Sequence, residues 1–370
     1  MKRIFIVLTV VVFLFVFSVS CSAVSTNIDN YSSEFSYDEM ISSIDSSVVE
    51  ILNEMGITEL SYESIFSVTP KKVWDSFYGV FTDSLKEPFT HFMVVTGIMA
   101  VMAVLTNISR SPETVTLIGS SCVVCILATP IVSLITRSFS VLETLTLFTS
   151  AFSAVFCAVT SAAGGVIQGT SFLGMNVFLN SALSVFVSSM SKPLSNCMCS
   201  LAFLSCFNIK TFSERISELF KKLYIFIMGL ITTVFSGVSA IKAILGGSAD
   251  SVAVKGIKFL VGRSLPIVGG VVSESYQSIM ASLSLIKSTV GVFGIITIVI
   301  TVLPVVSELA SWWLFLNFIS TVSEILGCFK IQNLILIFKD VVILVIATII
   351  FSALLFIVSC GFMLVFKGSV

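Results

Sequence analysis

From Pro88 to Phe366 the sequence is a succession of helix-length apolar stretches separated by short polar joints. A helix in a soluble core keeps one polar face, and these stretches have none. The pattern predicts an all-α, polytopic transmembrane protein. Spans are expected at 88–107, 115–136, 141–163, 171–190, 194–209, 223–245, 289–307, 309–327 and 341–366. The 194–209 stretch is short against the roughly 20 residues of a crossing, and 289–327 also reads as a helical hairpin bent at Pro304. The expected number is therefore seven to nine. Composition agrees, at 56% hydrophobic and 11% charged residues with a mean hydropathy of +1.08.

The N-terminus differs. Met1-Lys2-Arg3 precedes an apolar run from Ile4 to Phe17 and then the small residues Ser18 to Ala23, the three-part layout of a secretory signal peptide over 1–23. Cleavage after Ser20 or after Ala23 fits. Lipidation at Cys21 and an uncleaved anchor remain open alternatives. Residues 24–87 then hold 12 acidic residues against the three lysines Lys71, Lys72 and Lys86, a net charge of −9 within a chain of net −1. Such a segment is easily translocated and has nothing basic enough to bind nucleic acid, so it is expected to be a small extracytoplasmic helical region. Ile41, Ile44, Val48, Ile51 or Leu52, and Met55 repeat at helical spacing before Gly56. A second helix is expected from Thr69 as N-cap and Pro70 at the first helical position, with Val73, Trp74, Phe77, Phe81 and Leu85 on one side. This second helix fits the membrane interface, or packing on its neighbour, equally well.

Within the apolar part, 88–209 forms a first transmembrane bundle and 223–370 a second. Between them 210–222 carries Lys210, Arg215, Lys221 and Lys222, and the excess of basic residues on cytoplasmic loops makes it a cytoplasmic loop. Five spans lie before it, which puts 24–87 outside, in agreement with the signal peptide. Segment 248–287 breaks the pattern: an amphipathic basic stretch, a Gly/Pro-containing run, then a mixed helix with Glu274 and Lys287. It is too polar to face lipid. It reads as a re-entrant element lining protein or water, or as an extracytoplasmic amphipathic loop.

No catalytic constellation is present, and no cofactor is expected. His91 is the single histidine. Cys122 and Cys125 share a helix face, but no second pair completes the roughly four ligands of a zinc site. The remaining cysteines of the spans read as small apolar residues, and no phosphate-binding loop occurs. Ionisable residues in or beside spans are the better pointers, because charge in a bilayer is costly and usually paired. Glu143 is expected to open the third span, at a helix N-terminus that favours an anion. Glu308 lies near Trp312 and Trp313, which read as interface anchors. Glu274 and Lys287 are placed to neutralise one another. Lys339 and Asp340 are adjacent and point apart, while Asn176, Asn180 and Asn317 are candidates to join helices.

The run Lys255-Gly256-Ile257-Lys258-Phe259-Leu260-Val261-Gly262, through Leu265-Pro266-Ile267-Val268-Gly269-Gly270 and on to Ser284 to Gly294, resembles the stage III sporulation protein AE family. The resemblance extends over most of 60–366. It includes the order of signal peptide, acidic region, amphipathic helix and final long apolar helix. It implies an endospore-forming Gram-positive bacterium and a place in the mother-cell membrane that engulfs the forespore. It also implies a multi-protein channel whose other members are stage III sporulation membrane proteins and a cytoplasmic secretion-type ATPase. Such a channel supports late forespore gene expression by passing small molecules. The motif positions carried over are Lys255, Lys258, Gly262, Pro266 and Gly269, without an assigned role. The expected function is thus a non-enzymatic, permease-like subunit, with the ATPase docking on 210–222. The alternatives are a stand-alone secondary transporter using Glu274, Lys287 or Glu308, and a non-conducting scaffold.

Overall fold

The structure, a computed structural model, describes residues 44, 46–54, 57, 70–205, 210–264 and 269–365. The signal peptide and most of 24–69 lie outside them. The described residues form helices and no strand. They are α1 (Ser46–Glu54), α2 (Pro70–Ser84), α3 (Lys86–Ile108), α4 (Pro112–Ala162), α5 (Val166–Phe186), α6 (Lys192–Ser205), α7 (Lys210–Ser264), α8 (Gly269–Ile325) and α9 (Phe329–Val365). A π-helical turn, Val187–Ser191, joins α5 to α6. By length and composition, six helices are able to cross a membrane: Tyr78–Ile108, Pro112–Ala162, Val166–Ser205, Arg215–Asp250, Ala281–Ile325 and Phe329–Gly361.

The nine expected stretches therefore fall on six helices. The 115–136 and 141–163 stretches are both in α4, whose 51 residues would measure about 77 Å if straight, more than twice the ~30 Å of a hydrocarbon layer. The 289–307 and 309–327 stretches share α8, which passes through Pro304 without a hairpin. The 171–190 stretch and most of 194–209 form one run through the π turn. That turn has a local cause. Pro193 cannot donate to the Ser189 carbonyl and its ring crowds it, so the chain widens just before the proline.

Glycine makes two of the reversals, whereas α3 turns into α4 through Ser109-Arg110-Ser111. Gly164 (φ 83°) and Gly327 (φ 69°) take the left-handed conformation after α4 and α8. Gly165 N–H then donates to the Thr160 carbonyl (2.9 Å), and Cys328 N–H to that of Ser323 (2.8 Å). Both are Schellman caps, which satisfy carbonyls left over at the helix end and make each reversal tight.

Residue pairs fix the packing. α3 lies antiparallel to the first half of α4, from Met102 at Gly119 near the turn to Glu87 near Arg137 at the other end. The second half of α4 pairs instead with α5. A Cβ at Gly169 would sit 2.9 Å from the Cys157 carbonyl oxygen, so the two backbones approach closely there. Asn180 bolts the same pair, donating to Ser150 Oγ (2.7 Å) and accepting from Thr149 Oγ1 (3.1 Å). α8 runs antiparallel to α4 along its middle and second half, with Phe152 over Gly294 and Glu308 at Arg137. α9 returns along α8, from Lys339 at Asn317 to Leu364 at Gly291. The core between these helices is aromatic: Phe148, Phe152 and Phe156 follow one another at i, i+4 on α4, and Phe172 of α5 closes on Phe156 with ring centroids 4.9 Å apart.

The two described helices of the acidic segment are not separate from this bundle. α1 buries Val48 and Leu52, part of the periodic face expected for it. Both α1 and α2 lie against α8. Helix α2 begins at Pro70, where the proline placed it.

Candidate functional site

Two polar groupings interrupt the apolar bundle. The first gathers around the middle third of α4. Arg137 reaches Glu308 of α8 at 2.5 Å and Glu87 of α3 at 3.8 Å. Glu143 meets Lys192 at 2.7 Å, just past the π turn. Lys221 of α7 pairs with Asp340 of α9, and Lys339 donates to Asn317 Oδ1 at 3.1 Å. Arg137–Glu308, Glu143–Lys192 and Lys221–Asp340 tie together helices that are not consecutive in the chain, while Arg137–Glu87 and Lys339–Asn317 join neighbouring ones. Beside them, Ser191 bonds the buried Tyr224 hydroxyl (2.8 Å), which also contacts Thr348 Oγ1, so the π turn is fastened to α7 and α9.

The second grouping sits at the start of α5. Asp250 of α7 is 5% exposed, and its carboxylate accepts the backbone N–H groups of Ile167 (3.0 Å) and Gln168 (2.8 Å). An acid from another helix thus fills the capping role that no local side chain takes, at the end whose dipole favours an anion. Lys287 of α8 donates to the Gln168 side-chain oxygen at 3.0 Å. Gly246 lets α7 approach close to the Gln168 backbone. Three helices meet on one glutamine.

The sequence candidates distribute as follows. Lys287 belongs to the α5 grouping and Glu308 to the Arg137 pair. Glu143 is paired too, but it does not open a helix: Arg137-Ser138-Phe139-Ser140 contains no breaker, so α4 runs through it and no N-terminal dipole acts there. Glu274 lies on α8 with its side chain outside the described residues. Lys255 is exposed on α7, where Lys258 and Gly262 also lie; Gly269 begins α8, and Pro266 lies outside the described residues.

Segment 210–222, expected to be a loop, is the first part of α7. Lys210 begins it, and Arg215 is exposed. Lys222 is exposed and pairs with Glu218 at 2.8 Å, whereas Lys221 is committed to Asp340 inside the bundle and is not a free docking cation. Trp312 is buried against the His91 ring (5.3 Å) rather than anchoring an interface, and His91 Nδ1 donates to the Glu87 carbonyl at 3.0 Å.

Arg137, Gln168 and Asp250 were not singled out in the sequence. The available signals were a lone acid after Gly246-Gly247 and a lone amide after Gly164-Gly165, glycine pairs that allow close backbone approach. Among the described residues no group of three His, Cys, Asp or Glu side chains is placed to hold a metal ion. Cysteines 122, 125, 157, 197, 199, 328 and 360 are free thiols, three of them buried.

The sequence profile described as stage III sporulation protein AE matches residues 53–366. The chain belongs to the stage III sporulation protein AE family. Stage III sporulation protein AE of Bacillus subtilis (strain 168) is 22% identical over 170 residues, which cover 46% of this chain and 43% of that protein. The aligned part is thus less than half of that relative. No solved structure matches the chain. The family match takes in α2 to α9 in full, so both polar groupings fall inside the part of the chain that defines the family, and a role in sporulation follows from the membership.

Proposed function

We propose that this chain is an integral membrane subunit of a channel between mother cell and forespore, needed for late forespore gene expression, permease-like and without enzymatic activity. The observation that carries the reading is the family match over 53–366. Six helices of spanning length and composition support a place in the membrane, here the mother-cell membrane around the forespore. The internal pairing of charges supports a permanent bundle, since a charge at membrane depth is tolerated when a partner neutralises it.

The orientation proposed puts residues 24–87 outside and 210–222 in the cytoplasm. Three candidate spans precede Arg215, an odd number like the five first expected, so either count sets the two segments on opposite sides. The partners proposed are the other stage III sporulation membrane proteins and a cytoplasmic ATPase. Arg215 and Lys222, the exposed cations of the α7 start, are the docking residues. Capture of the tagged protein from cross-linked sporulating cells tests the reading. Recovery of those membrane proteins together with the ATPase is the expected result. Their absence, with solute flux in liposomes containing this chain alone, would replace it by the secondary-transporter reading, for which buried Asp250 and half-buried Lys287 supply ionisable groups.

A further inference from the structure

A crevice of about 350 Å³ opens between α4, the α5–π turn and α9. Its apolar lining includes Leu145, Leu183, Val187 and Phe356, hydroxyls of Thr146, Ser184, Ser188 and Ser352 also face it, and the Glu143–Lys192 ion pair forms its charged rim. The volume is at the lower end of ligand sites, which begin at about 300 Å³, and suits one acyl chain rather than a bulky polar solute.

The π turn builds the rim. One extra residue in a turn rotates everything after it by about 100°, which brings Lys192 round to Glu143. Lys192 N–H donates to the Val187 carbonyl in the wider π pattern, and Ser191 is held by Tyr224. The rim is therefore fixed by buried contacts, while its two charged groups remain 41% and 64% exposed.

From this geometry we infer that the crevice holds a phospholipid with a primary ammonium head group, a phosphatidylethanolamine. One of its two acyl chains lies along the apolar lining and the other stays in the bilayer, its phosphate accepts from Lys192, and its ammonium donates to Glu143. The paired signs select a zwitterion, since a purely anionic head leaves Glu143 opposed to it. The carboxylate selects N–H donors over a quaternary ammonium. Quaternary groups are held by cages of several aromatic rings, whereas here Phe356 lines the crevice and a single ring, Phe139, lies 6.0 Å from Lys192 Nζ at the charged rim. The inference is independent of the channel reading.

The test is native mass spectrometry of the full chain released from nanodiscs holding equal amounts of phosphatidylethanolamine, phosphatidylglycerol and phosphatidylcholine. The parent protein is expected to retain phosphatidylethanolamine about tenfold over the other two. Glu143→Gln is expected to move the preference to phosphatidylglycerol, and Lys192→Gln to lose retained lipid. Both variants keep the fold, because an exposed ion pair contributes little to stability. Soluble phosphoethanolamine should not displace the lipid. Equal retention of the three lipids, preferences unchanged in both variants, or displacement by the soluble head group would each overturn the proposal.

Discussion

Asp250 and Arg137 act on opposite kinds of group. Asp250 satisfies two backbone donors at the start of α5, and charge-assisted hydrogen bonds of this kind are among the stronger ones. Asp250→Ala is expected to lower stability by about 2 kcal/mol, and Asp250→Asn, which keeps one acceptor oxygen, by about half of that. Thermal unfolding in detergent reads the difference; two variants as stable as the parent would show that water or another donor set caps α5. Arg137 neutralises Glu308, whose side chain is 17% exposed. Arg137 itself is half-exposed, so Arg137→Ala is expected to cost about 1 kcal/mol, between an exposed and a buried pair. The double variant Arg137→Ala, Glu308→Ala should recover much of the loss. Strict additivity in the same unfolding assay would contradict the pairing.

At the scale of elements, glycine, proline and charge have unequal power to end a helix. The chain reverses at Gly164 and at Gly327, and α4 restarts at Pro112, its first helical residue. It does not reverse at Arg137 to Ser140 or within Lys210 to Lys222, which are polar but contain no glycine or proline. Charged joints can stay helical when a partner takes the charge, as Glu308 does for Arg137 and Asp340 for Lys221. Hydropathy alone was therefore able to locate the apolar stretches but not to say which of them were continuous.

The same reasoning explains what was legible of the polar groupings. Lys339 and Asp340 were expected to point apart, and they do, to Asn317 and Lys221. Asn180 is expected to join helices and does so, whereas Asn176, among the described residues, bonds within its own helix, to the Phe172 carbonyl. Asp250 at α5 was not legible, because a contact across 82 residues leaves no periodic trace. Gly327→Ala isolates the cap. No atom lies within 4 Å of an added Cβ, so the left-handed φ alone is at stake, and a loss of about 1 kcal/mol is expected in chemical unfolding. A neutral result would mean that the α8–α9 reversal tolerates another conformation.

On the scale of the molecule, the bundle is longer than one hydrocarbon layer and carries its ion pairs part-way along rather than only at its ends. α4 and α8 are its axis, and α3, α5 and α9 pack along them in hairpins. Charges that would be prohibitive alone are carried as pairs between distant segments, which favours a body that assembles once and stays assembled over a set of independent hairpins. Such a body suits a fixed subunit of a larger membrane assembly. The most direct measurement is deletion of the gene, with vegetative growth compared against late forespore reporter activity and forespore volume. Normal growth with silent, shrinking engulfed forespores is the predicted result. Forespores of normal volume and reporter activity would contradict the channel role.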